Sequence, residues 1–286
     1  MQWISYLPKS YLSWFVGTMA NLPLPKPFST LLVRWFARAY KIDTSLAIRP
    51  LESFPSIGAF FTRDLRPEVR PIGEGTVSPV DGTLRSAQDV SAVGDATLVK
   101  GRTYSIAGLL GNDPLAARFS NGQVWNFYLS PQDAHHIFSP VDGTIVRSVH
   151  VPGKLWPVND WAISAVDGLF VVNERVISFI DTPNGMVAVV MVGATNVGRI
   201  ALSYAPIETN RTPWSAHSQR TIDHTPPVSV GRGEKIGTFK MGSTVVLVFE
   251  KPPFDVSKTG TQVKVTYGAP LAAVAQGQPS LWKTAR

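Results

Sequence analysis

The chain of 286 residues is 44% hydrophobic and 16% charged, which is enough apolar material for one large domain and argues against disorder. It contains no cysteine, so disulfides, a thiolate nucleophile and a cysteine-ligated metal are excluded. The formal net charge of +7 predicts attraction to an anionic partner, either a nucleic acid or the acidic lipids of a membrane surface.

Most of the excess positive charge lies near the N-terminus. Residues 1–71 hold nine lysines and arginines against four acidic residues, a local net of +5, among many large apolar side chains. Over residues 29–41 the spacing predicts a helix with an apolar face and a separate basic face. The apolar face holds Leu32, Trp35, Phe36 and Ala39, and the basic face holds Arg34, Arg38 and Lys41. This pattern is typical of a helix that lies on a membrane surface, and the alternative is a helix packed on its own domain.

Nothing in the N-terminal region predicts a membrane span. The uncharged segment 10–25 is too short to cross a bilayer and contains Pro23 and Pro25, and no run of about 18 apolar residues occurs elsewhere. The apolar part also lacks the leading basic cluster and small-residue cleavage site of a signal peptide. We therefore predict that residues 1–50 form a helical, membrane-associated region.

From about residue 50 onward, short runs rich in valine and isoleucine alternate with glycine, proline and aspartate, which predicts strands. Predicted strands include 83–85, 124–129, 185–192 and 243–249. The predicted fold class is therefore α+β, with a β-rich catalytic body over residues 51–286 after the helical region. We expect lipoyl-like hairpins or a barrel in this body, because the sequence over residues 139–153 resembles the hairpins of lipoyl carrier domains.

One short sequence occurs twice: residues 78–83 read Ser-Pro-Val-Asp-Gly-Thr, and residues 139–144 repeat it. A Pro-x-Asp-Gly sequence suits a tight turn, because proline fixes φ and glycine adopts positive φ without steric cost. Two similar turns are therefore predicted to lead into two strands.

The common catalytic signatures are missing, including a Gly-x-Ser-x-Gly elbow, a His-Glu-x-x-His helix and a phosphate-binding glycine-rich loop. A different chemistry is suggested where Gly242 and Ser243 precede a strongly apolar strand. A serine there can attack the preceding carbonyl, and elimination from the resulting ester would leave dehydroalanine that hydrolyses to a pyruvoyl group.

A family resemblance makes this chemistry specific. Across roughly residues 50–275 a series of sequence blocks is similar, in the same order, to bacterial phosphatidylserine decarboxylases. The blocks are 60–66, 70–72, 79–82, 100–105, 128–131 with Asp133 and His135, 151–153, 173–176, 192–195, 233–234 and 239–244.

The resemblance implies self-cleavage between Gly242 and Ser243 into a β chain, 1–242, and an α chain, 243–286. Ser243 would become the covalent pyruvoyl cofactor, which forms a Schiff base with phosphatidylserine during conversion to phosphatidylethanolamine, with no metal and no pyridoxal phosphate. The expected partners are phosphatidylserine, an anionic membrane surface and the two chains of one precursor, without nucleic acid. The expected location is peripheral, on the cytoplasmic face of the inner membrane, and a homodimer is left open.

The resemblance also assigns acid–base roles. Asp81 would belong to the self-processing relay, in which an aspartate supports the histidine that deprotonates Ser243. His135 would be an acid or base in decarboxylation. Relatives have a second histidine three residues after the first, whereas this chain has Phe138 there, so either His135 serves both steps, the neighbouring His136 acts as an auxiliary base, or processing is slow or lost.

Three other functions remain open from the sequence. The chain could decarboxylate a soluble amino acid, for which a membrane helix would be superfluous. It could be an uncleaved, non-catalytic lipid-binding paralogue, for which Phe138 is the main evidence. A basic nucleic-acid binder would require salt-sensitive binding of oligonucleotides.

Overall fold

The computed structural model describes residues 9–99, 102–195, 199–211, 218–240, 244–257, 259 and 262–276. The helices are α1 (Lys9–Asn21), α2 (Lys26–Ala39), α3 (Ile57–Phe61), α4 (Ile106–Leu109), α5 (Asp160–Ala165), α6 (Leu169–Val172) and α7 (Leu271–Ala275). The strands are β1 (Gly82–Asp89), β2 (Asp95–Val99), β3 (Arg102–Ser105), β4 (Gln123–Tyr128), β5 (His136–Phe138), β6 (Gly143–Val151), β7 (Arg175–Asp181), β8 (Val187–Val192), β9 (Ile200–Leu202), β10 (Arg220–Val230), β11 (Lys235–Phe239), β12 (Thr244–Phe249) and β13 (Val263–Val265). Short 3-10 turns cover Thr44–Leu46, Leu51–Ser53, Pro67–Val69 and Pro114–Phe119.

An antiparallel eight-stranded sheet in the order β10-β6-β7-β8-β12-β4-β1-β13 forms the centre of the fold. Its middle strands are buried on both faces, which is why their sequences are continuous apolar runs rather than alternating ones. In β12, Val245 and Leu247 point into one core cluster, whereas Val246 and Val248 point into the other. The strands predicted at 83–85, 124–129, 185–192 and 243–249 correspond to β1, β4, β8 and β12.

Different elements cover the two faces of this sheet. On one face, the three-stranded sheet β5-β11-β9 contributes Ile137, Ile236 and Phe239 to the core shared with Val245 and Leu247. On the other face, the β2–β3 hairpin and the short helices α4, α5 and α6 pack against the alternate residues of the same strands. The predicted α+β class is confirmed, while the lipoyl-like character of the hairpins stays a prediction.

The N-terminal helices have a core of their own. Val33, Phe36 and Ala37 of α2 are buried against Phe54 and the aromatic residues of α3. The prediction that Phe36 shares the exposed apolar face was wrong, because α2 carries two apolar stripes and this one packs inward. The second stripe is exposed and consists of Phe28, Leu31, Leu32 and Trp35.

The N-terminal core joins residues 33–42 to residues 54–61, so its packing crosses the predicted domain boundary at residue 50. The division into two regions at that residue stays a prediction. Among the residues that the structure describes, no helix has both the length and the apolar character needed to span a bilayer.

The repeated Pro-x-Asp-Gly sequences precede β1 and β6, but their glycines do not have positive φ as predicted. Close approach of a neighbouring strand explains the glycine in each copy. A Cβ at Gly82 would lie 2.5 Å from the carbonyl oxygen of Tyr128, and one at Gly143 would lie 2.5 Å from that of Asp181.

Candidate active site

The predicted cleavage residues Gly242 and Ser243 lie outside the described residues, but the chain is placed on both sides of them. On the incoming side, the backbone N–H of Phe239 donates to the carbonyl oxygen of His135 at 2.9 Å. On the outgoing side, Thr244 pairs with Tyr128 on one neighbouring strand and with Val192 on the other. The segment predicted to be cleaved therefore begins beside His135 and ends where β12, an interior strand of the central sheet, starts.

His135 is completely buried and keeps one ring nitrogen free. Its Nδ1 lies 2.8 Å from the carbonyl oxygen of Asp133, and because a carbonyl only accepts, Nδ1 carries the proton. Nε2 has no hydrogen-bond partner among the described residues. Burial is the main cause that lowers the pKa of His135 to about 3, and the positive charge of Arg63 lowers it further. His135 is therefore a neutral imidazole with an available lone pair at physiological pH.

His136 has a different environment, although it is the next residue. Its Nδ1 lies 2.9 Å from the hydroxyl of Thr238. Its Nε2 lies 3.1 Å from an Asp64 carboxylate oxygen, a polar contact that is not aligned as a hydrogen bond. Burial is the main cause that lowers the pKa of His136 to about 4, followed by the charge of Lys235. Because both ring nitrogens have polar neighbours, His136 is less available than His135 as a base.

Asp81 is buried and held by Arg70. Its Oδ1 accepts from Arg70 Nε and from the backbone N–H of Tyr267, both at 2.9 Å, and its Oδ2 accepts from Arg70 Nη2 at 2.8 Å. Burial disfavours the guanidinium charge, but the hydrogen bonds and charge of Asp81 outweigh it and raise the pKa of Arg70. Sequence reasoning did not find this partner of Asp81, although Arg70 lies in one of the family blocks.

Phe138 stacks on Tyr267, with ring centroids 3.9 Å apart and an angle of 15° between the planes. The position at which the family resemblance predicts a histidine is thus filled by a phenylalanine stacked on a tyrosine, and neither ring is a base near neutral pH. Burial, together with the charge of Asp81, raises the pKa of Tyr267 to about 12, so its phenol stays protonated. This stack forms one wall beside the Asp81–Arg70 pair.

A second carboxylate fixes the chain just before the predicted cleavage segment. Lys240 Nζ lies 2.6 Å from Glu208 Oε1, and Arg199 Nε lies 2.8 Å from the same oxygen. Glu208 lies between the family blocks 192–195 and 233–234, in a stretch without a block of its own. Among the described residues, no group of three histidine, aspartate or glutamate side chains is placed to hold a metal ion.

A buried neutral base beside a strand-to-strand segment, together with a buried carboxylate–guanidinium pair, is an arrangement typical of enzyme active sites. The family model described as phosphatidylserine decarboxylase matches residues 57–273. The phosphatidylserine decarboxylase proenzyme of Anaeromyxobacter sp. (strain K) is 42% identical over 94% of this chain and 96% of its own length. That of Myxococcus xanthus (strain DK1622) is 40% identical over 87% of this chain and 89% of its own. The chain belongs to the phosphatidylserine decarboxylase family, as the sequence blocks predicted.

Proposed function

We propose that this chain cleaves itself between Gly242 and Ser243 and then converts phosphatidylserine to phosphatidylethanolamine with the resulting pyruvoyl group. The observation that carries the proposal is His135, a buried neutral base whose backbone holds Phe239 at the start of the cleavage segment. The proenzyme names of the relatives agree with a chain that must be processed before it works.

In self-cleavage, His135 Nε2 would take the hydroxyl proton of Ser243 while the serine oxygen attacks the Gly242 carbonyl carbon. The C–N bond breaks and an ester forms. Loss of the Ser243 α proton then breaks the Cβ–O bond, so Gly242 leaves as a carboxylate. Water hydrolyses the dehydroalanine that remains, with release of ammonia, to the pyruvoyl group.

In decarboxylation, the pyruvoyl group would supply a carbonyl that condenses with the substrate amine and accepts the electrons left when carbon dioxide departs. His135 would deliver a proton to the substrate α carbon. Because decarboxylation consumes one proton and the resting Nε2 carries none, Nε2 would first take up that proton from solvent. Its complete burial and its contact with the Phe61 ring, 3.8 Å between centroids, keep that position poor in water.

Asp81 would support the site through its neighbours. Its described hydrogen bonds come from Arg70 and from the backbone of Tyr267, and Tyr267 in turn stacks on Phe138. In this chain Asp81 would therefore hold the wall of the site, while the Asp133 carbonyl fixes the tautomer of His135. The relay role that the resemblance assigns to Asp81 predicts instead that its charge is essential to cleavage.

The exposed stripe of α2 would bring the enzyme to its lipid substrate. Leu31 and Trp35 are 69% and 60% exposed, and Phe15 and Met19 of α1 add further exposed apolar surface. Arg38 lies on α2 one turn after Trp35, and its charge suits a surface that meets anionic head groups. Lys41 adds a second charge just after the helix, which ends at Ala39 and not at residue 41 as the spacing predicted. We propose peripheral attachment to the cytoplasmic face of the inner membrane, and a soluble amino-acid substrate would leave this stripe without a purpose.

Intact mass on a denaturing column tests the cleavage. We expect two chains split between residues 242 and 243, with a blocked N-terminus on the smaller one, and a single full-length chain for Ser243→Ala. Release of carbon dioxide from phosphatidylserine in mixed micelles tests the second step. A wild-type chain that stays full length would instead favour the uncleaved paralogue, for which the Phe138–Tyr267 stack is the supporting observation.

Flotation with phosphatidylcholine vesicles, with and without phosphatidylserine, tests the attachment. Leu31→Ser/Trp35→Ser should reduce flotation on both kinds of vesicle, whereas Arg38→Glu/Lys41→Glu should remove only the gain due to phosphatidylserine. Val93→Ser is the matched control, because Val93 is 83% exposed but lies outside the N-terminal helices. Equal flotation of all variants would contradict the proposed surface.

A further inference from the structure

Arg63 is a deeply buried cation with unused hydrogen-bond donors. The residue is 3% exposed, and its Nη2 donates to the carbonyl oxygen of Gln132 at 2.7 Å. Its Nε and Nη1 have no hydrogen-bond partner among the described residues. Buried donors are rarely left unpaired, so such a group calls for a functional explanation.

Arg175 shows how the same fold treats a buried arginine that has only a structural role. It is 2% exposed, and each of its three nitrogens donates to a backbone carbonyl within 2.9 Å. The acceptors are Leu109, Val171, Asn173 and Gly108. The free donors of Arg63 are therefore not a general property of arginines in this interior.

The carboxylates near Arg63 already have other partners. Asp81 is paired with Arg70. Asp133 accepts from the backbone N–H and the hydroxyl of Ser130 at 2.8 and 2.6 Å. Among the described residues, no carboxylate lies within ion-pair distance of Arg63. Burial lowers the pKa of Arg63 to about 10, so the group stays charged at neutral pH. Its Cζ lies 5.1 Å from the centroid of the Phe60 ring, a contact that leaves the N–H donors unused, and a buried charge without a counter-ion is costly to keep.

Arg63 lies beside the base of the proposed reaction. The ring of Phe61, two residues earlier, contacts the His135 ring at a tilt of 37°. The backbone carbonyl of Gln132, three residues before His135, accepts from Arg63. The same two chain segments thus place the free donors of Arg63 and the free Nε2 of His135 in one buried region. A ligand for this region would have to offer an anionic group close to an atom that exchanges a proton.

We propose that Arg63 binds the phosphodiester of the phospholipid head group while His135 serves the substrate α carbon. The inference rests on the proposed function. In phosphatidylserine only the β carbon and one ester oxygen separate the α carbon from phosphorus, so a side chain next to His135 is suitably placed. The substrate carboxylate is a poorer occupant, because it leaves as neutral carbon dioxide and an ion pair to it would stabilise mainly the ground state. The phosphodiester keeps its charge throughout.

The kinetics of Arg63→Gln test the assignment. A charge that binds ground state and transition state equally changes KM rather than kcat, so we expect KM for phosphatidylserine to rise roughly 10- to 100-fold with kcat within a few-fold. Arg63→Lys keeps the charge without the planar fork and should give an intermediate KM. Arg66→Gln is the matched control, since Arg66 is a nearby, exposed arginine that should leave KM unchanged.

A substrate analogue with a neutral methylphosphonate in place of the phosphodiester provides the second arm. For wild type, KM for the analogue should exceed KM for phosphatidylserine by about the factor by which Arg63→Gln raises KM for phosphatidylserine. For Arg63→Gln, the KM values of the two substrates should be nearly equal. The assignment would be overturned if Arg63→Gln left KM for phosphatidylserine unchanged. It would also be overturned if Arg63→Gln preferred phosphatidylserine over the analogue as strongly as wild type does. An Arg63→Gln chain that fails to cleave would overturn it too, because Arg63 would then act on the precursor. Failure of wild type to cleave would instead refute the proposed function itself.

Discussion

The buried pair between Asp81 and Arg70 offers the sharpest prediction for stability. In an uncleavable Ser243→Ala background, Asp81→Asn removes one charge and leaves the guanidinium of Arg70, whose side chain is 8% exposed, without its counter-ion. Breaking a buried pair from one side costs about 3 to 5 kcal/mol. For a chain of this size we expect the unfolding midpoint to fall by roughly 6 to 20 °C.

Thermal unfolding followed by circular dichroism measures this change. The double variant Arg70→Gln/Asp81→Asn removes both charges and should recover most of the loss. Glu52→Gln is the matched control: Glu52 meets Arg34 at 2.6 Å, but both side chains are half exposed, so only a small change is expected. If Asp81→Asn costs no more than Glu52→Gln, the reasoning about the buried pair is wrong.

The same double variant, made with Ser243 intact, separates support from relay. If Asp81 only holds the wall formed by Arg70 and Tyr267, the neutral pair should cleave within about tenfold of the wild-type rate. If its charge drives a histidine relay, loss of that charge should slow cleavage by up to about 10⁴-fold, as in a serine-protease triad. Intact mass sampled over time after synthesis gives the rate.

Three further predictions concern the histidines and the cleavage segment. In the folded state the pKa values of His135 and His136 are about 3 and about 4, below the unfolded value near 6.5. The free energy of unfolding, measured in urea, should therefore fall as pH drops from about 6.5 towards 4. Each histidine should contribute up to about 1.4 kcal/mol per pH unit. His135→Gln/His136→Gln should flatten this slope, and an unchanged slope would contradict the cause. Intact mass should show that His135→Asn stays uncleaved. The double variant His135→Asn/Phe138→His should also stay uncleaved, because Asp81 is already paired with Arg70 and is not available to a histidine at 138. Restored cleavage in the double variant would show that a histidine at 138 can replace His135. Glu208→Gln should slow cleavage several-fold without stopping it, since Lys240 loses its ion pair, and an unchanged time course would show that this anchor is dispensable.

Sequence reasoning was accurate where the pattern alone determines the structure. The apolar runs at 185–192 and 243–249 predicted strands, and the structure places β8 and β12 there, side by side and buried on both faces at the centre of the sheet. It failed where two apolar stripes compete on one helix. Spacing groups Phe36 with Trp35, but only the presence of Phe54 and α3 decides which stripe is buried.

The candidate site was predictable only in part, for a similar reason. His135 and Asp81 stood in motifs, whereas the partners of Asp81 lie 11 and 186 residues away along the chain. Arg63 also stood in a motif, but nothing in the sequence shows that its donors are unpaired. Such pairings arise from tertiary packing, which a local pattern does not encode.

Phe138 is easier to understand once the environment of His135 is considered. A relay aspartate fixes the tautomer of its histidine, and here the carbonyl of Asp133 does so. A relay aspartate also stabilises the imidazolium form of its histidine. His135 has no such stabilisation: burial, followed by the charge of Arg63, lowers its pKa to about 3. The proposed self-cleavage would happen once per molecule and would tolerate a weak base, whereas the proposed decarboxylation would be repeated at every turnover. An anionic phosphodiester on Arg63 would offset the charge that weakens His135, so substrate binding would strengthen the base at the step that must be fast.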